Sequence, residues 1–195
     1  MTPENKLRWG TGLVESFLQW IGEDPTRPGL KETPARVCKA WEEWFGGYNQ
    51  DPAAVLKVFE DGAEQYDSVV AVHNIAIYSH CEHHLAPIVG HAHIGYIPNG
   101  KIVGLSKLPR LAHIFMRRLQ VQERLTCQIA DALMEHLAPK GVGVVIRARH
   151  FCMESRGIKS HAEGVTSTSA MRGVFRDIPE ARAEFLKLCS DAERK

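Results

Sequence analysis

No stretch of this 195-residue chain is apolar for long enough to cross a bilayer as a helix. Charge of one sign is not in excess either: 24 Lys and Arg face 23 Asp and Glu, a formal net charge of +1. That balance gives no sign of a nucleic-acid partner, so any anionic ligand must be held by a local cluster of Lys and Arg. There is no internal repeat and no low-complexity tract, which removes repeat architectures from consideration. Residues 1–8 carry no apolar secretory core and lead into a mixed-charge helix with Trp9, so a cytoplasmic address is the expectation. Cysteine is scarce. Its five copies, at positions 38, 81, 127, 152 and 189, are an odd number at wide spacing. That argues against a disulfide framework and for reduced thiols. Cys38, Cys127 and Cys189 fall in helical patterns and read as small core residues.

What is present is an ordinary core-forming composition, 44% hydrophobic and 24% charged, enough for one domain with an added helical segment. The first sixty residues read as helical. Leu13, Val14, Phe17, Leu18 and Ile21 recur at helical spacing. Thr33-Pro34 reads as an N-cap followed by proline at the first helical position, opening a helix with Val37, Trp41 and Trp44. Asp51-Pro52 starts another short helix. From Ser68 the pattern turns strand-like: Val69 to Tyr78, Ile88 to Ile97, and a short third run from Lys101 to Leu105. Ser106 then reads as the cap of a helix starting near Lys107. Leu125, Ile129, Leu133 and Leu137 mark one face of a long helix from about Gln120, closed by Pro139-Lys140-Gly141. Gly141 to Phe151 and Val165 to Phe175 read as strands, and Pro179 opens a C-terminal helix. Two antiparallel pairs around a helical pair predict an α+β fold, a four-stranded antiparallel sheet with two helices on one face. Its open edges are of the kind that oligomerisation covers.

Cys81-Glu82-His83-His84 is the densest chemical cluster, and His150-Phe151-Cys152 repeats its chemistry downstream. Cys81, His84 and Cys152 would make three ligands of the type zinc prefers. His83 and His150 would remain beside the metal as acid–base groups. On a strand, His150 and Cys152 would point to the same face. Three protein ligands leave a position for water, whose pKa zinc lowers from about 15.7 to about 7. The spacing equally admits a closed structural zinc, with His83 or His150 as fourth ligand. It also admits buried thiols with incidental histidines. Glu82 reads as support for a ligand or a helix end.

Ser106, Lys107 and Arg110 cluster around a helix start, where free N–H groups and the helix dipole suit phosphate; a solvated basic face is the plainer reading. Glu123, at the head of the long helix, could take two parallel N–H donors, or belong to a surface salt-bridge network. Arg156 is a further candidate phosphate contact. Glu154 would set negative charge close to it unless it points away. His73, His91, His93, His113, His136 and His161 read as structural or surface residues.

These motifs resemble the GTP cyclohydrolase I family. The likeness is carried by Cys81-Glu82-His83-His84, by Gly104-Leu105-Ser106-Lys107, and by the run from Arg117-Arg118-Leu119-Gln120 to Leu125-Thr126. His150-x-Cys152-Met153, Arg156-Gly157 and Thr166-Ser167-Thr168 complete it. The resemblance implies a tunnelling fold over residues 63–195 behind a helical extension over 1–62. It implies a homodecamer with active sites between subunits, and zinc on Cys81, His84 and Cys152. The implied reaction opens the imidazole ring of GTP, loses C8 as formate, and closes to 7,8-dihydroneopterin triphosphate. His83 and His150 are the implied acid–base pair, and Glu123, with Gln122 nearby, the implied guanine reader. Lys107, Arg110 and Arg156, with Ser106 beside them, are implied for the triphosphate. Arg36 and Lys39 are implied to reach a neighbouring subunit's phosphates. Two readings stand beside this one: a zinc hydrolase of the same scaffold for another purine nucleotide, and a non-catalytic metal-binding paralogue.

Overall fold

A computed structural model describes residues 2–60, 65–157 and 164–194. The chain forms two compact units, residues 1–46 and 47–195. The boundary expected at 62/63 and His161 both lie outside the described residues.

The first unit holds helices α1 (Pro3–Trp20) and α2 (Thr33–Trp44). Thr2 caps α1, its hydroxyl accepting from the Asn5 N–H at 3.2 Å. Val14 and Leu18 of α1 pack on Cys38 of α2, with Leu30 and Val37 alongside. Gly10 permits the close approach, since a Cβ there would meet the Cys38 sulfur at 2.8 Å. Leu13 and Phe17, expected on the buried face, are exposed. Thr33 is the first helical residue of α2 and not its cap; Glu32 takes the cap position, and the Thr33 hydroxyl accepts from Arg36 at 3.2 Å.

A single 3-10 turn (Gly46–Asn49) leads to α3 (Pro52–Val55), capped by Asp51 as expected. Strands follow: β1 (Val58–Phe59), β2 (Val70–Cys81), β3 (Pro87–Ile97) and β4 (Ile102–Val103). Next come α4 (Lys107–Met116), β5 (Leu119–Gln120), α5 (Gln122–Leu137) and β6 (Gly141–His150). The chain ends with α6 (Phe151–Glu154), β7 (Thr166–Gly173), α7 (Val174–Asp177) and α8 (Pro179–Glu193).

The main sheet has five strands in the order β5-β2-β3-β6-β7. The four long strands are antiparallel neighbours, and β5 pairs parallel to β2. The sheet is therefore mixed, with one strand more than expected; β5 is two residues long, too short for a period-2 pattern to show it. The short run after Ile97 joins no main-sheet strand. It forms β4, which pairs with β1 in a separate two-stranded sheet. Helix α5 stacks its stripe of Leu125, Ile129, Leu133 and Leu137 on Ile94, Val142, Val144 and Ile146. Each fully buried aliphatic side chain of this kind contributes about 1.5–3 kcal/mol.

Helices cover both faces of the sheet, where the sequence suggested one. Alternate residues of a strand face opposite ways, and Gly95, Ile97, Gly143 and Val145 look away from α5. There α8 packs, with Phe185 lying on Gly95 and Gly143; a Cβ at either glycine would sit 2.5–2.6 Å from its ring. A bulge in β2 at Asn74, whose φ is +54°, shifts the register between Val72 and Ile75. It turns Ile75, Ile77 and Cys81 toward the α5 side.

The register gathers one end of the sheet. His80 pairs with Pro87, Ile88 with His150, Ala148 with Thr166, and Cys81 with Gln120. The two chemical clusters of the sequence therefore meet through the short strand start at Pro87.

Candidate metal and acid–base site

Cys81 is the last residue of β2 and is buried. The strand runs past Tyr78, where the sequence pattern ended it, to Cys81. The turn is closed by the Cys81 N–H donating to the Ala86 carbonyl at 2.8 Å and the Leu85 N–H donating to the Cys81 carbonyl at 2.8 Å. Leu85 takes φ +54° to allow it. His84 rides on this turn. Cys152 does not lie on a strand beside His150: β6 stops at His150, and Cys152 sits in the helical turn α6. The two side chains therefore do not share a face by strand alternation. The helical turn brings the Cys152 sulfur back, so that donor atoms of Cys81, His84 and Cys152 all lie within 4.8 Å of one another. That spread suits zinc, whose bonds to sulfur and nitrogen are about 2.3 and 2.0–2.1 Å. Burial raises the Cys152 thiol pKa, and the adjacent Cys81 raises it further. A thiol raised in this way ionises readily only with a cation beside it. The His84 Nε2 accepts from the Arg156 Nη1 at 3.0 Å, so that imidazole nitrogen carries a lone pair.

Around this trio lies a pocket of about 330 Å³, lined by Cys81, His83, His84, Gln122, Glu123, His150 and Cys152 among others. His83 is exposed, with Nδ1 3.8 Å from the Cys81 sulfur. Glu123 is exposed at the rim. His150 is half-buried, and its Nε2 lies 2.7 Å from the Gln122 Oε1. Burial lowers the His150 pKa, with the charges of Glu123 and Glu154 opposing.

Gln122 opens α5 and is itself buried. Its Nε2 donates to the Ile146 carbonyl at 3.1 Å, the Thr166 carbonyl at 2.9 Å and the Thr168 hydroxyl at 3.1 Å. With the amide nitrogen so occupied, the oxygen must face His150, and His150 must donate from Nε2. Thr168 is anchored in turn by the Thr126 hydroxyl at 2.7 Å. Sequence reasoning gave Thr126 and Thr168 no role. Their signals were the motif run ending at Leu125-Thr126 and the Thr166-Ser167-Thr168 motif.

Glu82 accepts from Arg124, which also holds the Leu119 carbonyl at 3.1 Å and the Gln120 side chain at 3.1 Å. That hydrogen bond, and the guanidinium charge behind it, keep the Glu82 carboxyl below its ordinary pKa. Glu154 is held by Arg149, whose Nε donates to its Oε1 at 3.0 Å and whose Nη2 donates to Oε2 at 2.5 Å.

Ser106, Lys107, Arg110 and Arg156 are not among the pocket's lining residues. The start of α4 also lacks the free amides expected of it. Ser106 makes no side-chain cap, the Lys107 and Leu108 N–H groups donate to the Gly104 and Leu105 carbonyls, and Pro109 has none. Arg36 and Lys39 lie in the first unit, on α2, where Arg36 pairs with Glu32 at 2.8 Å.

Comparison with known proteins follows the same lines. The model of the family described as GTP cyclohydrolase I matches residues 11–190. A GTP cyclohydrolase 1 of Nitrosospira multiformis is 57% identical over 97% of this chain and 98% of its own length. That of Janthinobacterium sp. is 61% identical over 91% of this chain and 89% of its own. That of Campylobacter lari is 51% identical over 93% and 94%. A solved structure of the archaeosine synthase QueF-Like in the apo form superposes at a TM-score of 0.42 with 14% identity, over 54% of this chain and 94% of that one. It is too distant to bear on function. With the family model spanning nearly the whole chain and three relatives above half identity, this chain belongs to the GTP cyclohydrolase I family.

Proposed function

We infer that this chain opens the guanine imidazole ring of GTP by hydrolysis, releases C8 as formate, and closes the product to 7,8-dihydroneopterin triphosphate. The observation that supports the chemistry is the Cys81, His84 and Cys152 trio meeting in one pocket with His83 and a hydrogen-bonded His150. The two thiols and one imidazole would hold zinc. Bound there, zinc supplies Lewis acidity that makes water nucleophilic near neutral pH.

The chain's own residues do the rest. His150 has Nε2–H committed to Gln122, so Nδ1 is the atom left to take and return a proton. Its lowered pKa keeps that nitrogen unprotonated at neutral pH, ready as a base. His83, exposed and tethered only at a turn, delivers a proton to the nitrogen leaving C8. Glu123 reads the guanine edge, since a carboxylate accepts two parallel N–H donors. Gln122 stands beside Glu123 at this reader, and its side chain also orients His150.

Residues 63–195 form the catalytic domain in this reading, with a tunnelling fold. The triphosphate is held by Ser106, Lys107, Arg110 and Arg156, with Arg36 and Lys39 supplied from the 1–62 extension. Lys107 and Arg110 are not among the residues that line the pocket. A homodecamer with sites between subunits brings a neighbour's cations to each pocket. Two exposed features fit such an assembly: Trp9, Phe17 and Trp20 on α1, and the eight-residue edge strand β7.

Preference for another or a less phosphorylated nucleotide would rest on Glu154, and that carboxylate is taken by Arg149. Zinc-loaded protein given GTP should release formate and a product that oxidises to a fluorescent pterin, with GDP and guanosine turned over more slowly. Zinc-loaded, folded protein that gives neither product rejects the reading.

A further inference from the structure

A second cluster of metal-ligating groups lies on the opposite face of the sheet, under α8. His73 stands on β2 beside the Asn74 bulge, His91 and His93 on β3, and Cys189 and Glu193 one helical turn apart on α8. The sequence suggested isolated structural or surface histidines and a core thiol. The fold places them together.

His93 is fully buried and is the centre of the cluster. Its Nδ1 lies 3.1 Å from the Nδ1 of His73, and its Nε2 lies 3.1 Å from Glu193 Oε1. His91 Nε2 reaches the same carboxylate oxygen at 3.3 Å, and Arg147 pairs with the other oxygen. Donor atoms of His73, His93 and Cys189 all lie within 4.8 Å of one another.

We propose that His73, His93 and Cys189 form a second binding site for zinc or a similar borderline-soft divalent ion, on the face of the sheet away from the catalytic pocket.

The distances favour this. Two imidazole nitrogens bound to one tetrahedral zinc at 2.0–2.1 Å stand roughly 3.3 Å apart, close to the 3.1 Å between His73 and His93. Two nitrogens and a sulfur are a donor set that zinc accepts. Glu193 completes the arrangement from outside. A metal-bound imidazole that donates its other N–H to a carboxylate has its tautomer and ring orientation fixed. His93 has that geometry, with Nδ1 toward the trio and Nε2 toward Glu193.

His91, His93 and Glu193 also have donor atoms within 4.8 Å of one another. That trio is the weaker metal site, because Arg147 already pairs with its carboxylate; the same guanidinium charge also reaches His93 and Cys189. Cys189 is buried, and burial pushes its thiol up to about 11. In the absence of an ion it is an inert core thiol. With an ion bound it becomes the thiolate that ties α8 to β2 and β3. The side-chain exposure of His91, 38%, gives an ion a way in.

The test counts metal in the full-length protein, stripped with chelator and reloaded with Zn2+, then passed through a desalting column. His73→Ala and Cys189→Ser should each bind one ion per chain fewer than their parent, in the wild-type and in the Cys152→Ala background. Using Cys152→Ala as a parent separates this site from the catalytic one. Co2+ as a probe should show a thiolate-to-cobalt charge-transfer band in Cys152→Ala that weakens on adding Cys189→Ser. His73→Gln, which keeps a polar side chain at a half-buried position, guards against loss of fold and should behave as His73→Ala does. Parent and variant binding the same number of ions, with the cobalt band unchanged by Cys189→Ser, overturns the proposal.

Discussion

The Nε2 of His150 donates to the Oε1 of Gln122 at 2.7 Å, and Gln122 is held there by three hydrogen bonds from its own amide nitrogen. A side chain at the first turn of α5 therefore sets both the tautomer and the orientation of an imidazole at the end of β6. The Ile146 and Thr166 carbonyls that fix Gln122 belong to the paired strands β6 and β7. His150 is thus braced by the sheet ladder itself.

Replacing Gln122 by Leu removes the acceptor while keeping the bulk. His150 then loses its fixed tautomer, and kcat is expected to fall about 10- to 100-fold, the range for losing a group that orients a histidine. Zinc content should stay at the wild-type level, because Gln122 is not in the trio. The Thr168 hydroxyl and two carbonyls also lose a donor, so stability should drop by about 1–3 kcal/mol. Steady-state kinetics, metal analysis and chemical denaturation on the same protein separate these effects.

Removing a metal ligand should act differently from removing an acid–base group. Cys152→Ala deletes one of two thiolates in the trio and should lose one zinc per chain together with activity. His83→Ala deletes an exposed imidazole and should keep the zinc while losing turnover by about 10²–10⁴-fold, the usual contribution of a general acid or base. Full metal content in Cys152→Ala takes Cys152 out of the ligand set. Loss of zinc in His83→Ala puts His83 into it.

The parts of this molecule written in long periodic runs were legible in the sequence. Leu125, Ile129, Leu133 and Leu137 announce α5 because a helix of sixteen residues repeats its apolar stripe four times. The long strands announce themselves by β-branched residues. What escaped were elements too short to carry a period: β1 and β5 are two residues each, and α6 is four. Cys152 was placed on a strand because nothing in Phe151-Cys152-Met153-Glu154 marks a helical turn. The chemical types of the site were readable, and their meeting was not, because it depends on register. Ile88 opposite His150 and Cys81 opposite Gln120 are facts of strand pairing. The helix α8 on the far face was signalled only by Gly95 and Gly143, which read as ordinary glycines until Phe185 is seen lying on them.

Glu154 tests whether charge near a phosphate site matters when it is already paired. Its carboxyl is held below the ordinary carboxylate range by the hydrogen bond from Arg149 and then by that group's charge, so it is ionised and occupied at neutral pH. Glu154→Gln should leave the KM for GTP within about twofold, since the Arg149 guanidinium already offsets the charge of that carboxylate. A several-fold tighter KM in the variant means that the carboxylate does repel the triphosphate and that Arg149 does not shield it.

Tyr96 ties the small sheet to the large one, and its behaviour is expected to depend on pH in a defined direction. The ring is fully buried on β3, and its hydroxyl accepts from the Val103 N–H of β4 at 3.1 Å. Tyr96→Phe leaves that buried N–H without a partner, at a cost of about 1–3 kcal/mol. Burial raises the phenol's pKa, with the Val103 hydrogen bond opposing. A phenol whose folded pKa lies above its unfolded value stabilises the fold fully below the unfolded value, near 10. That contribution is lost as pH rises from there through the folded value, because the unfolded chain ionises first. The difference between wild type and Tyr96→Phe in urea denaturation should therefore be constant from pH 7 to about 9 and narrow above about 10. A difference that widens at alkaline pH shows instead that the ionised phenolate is the form the folded state prefers.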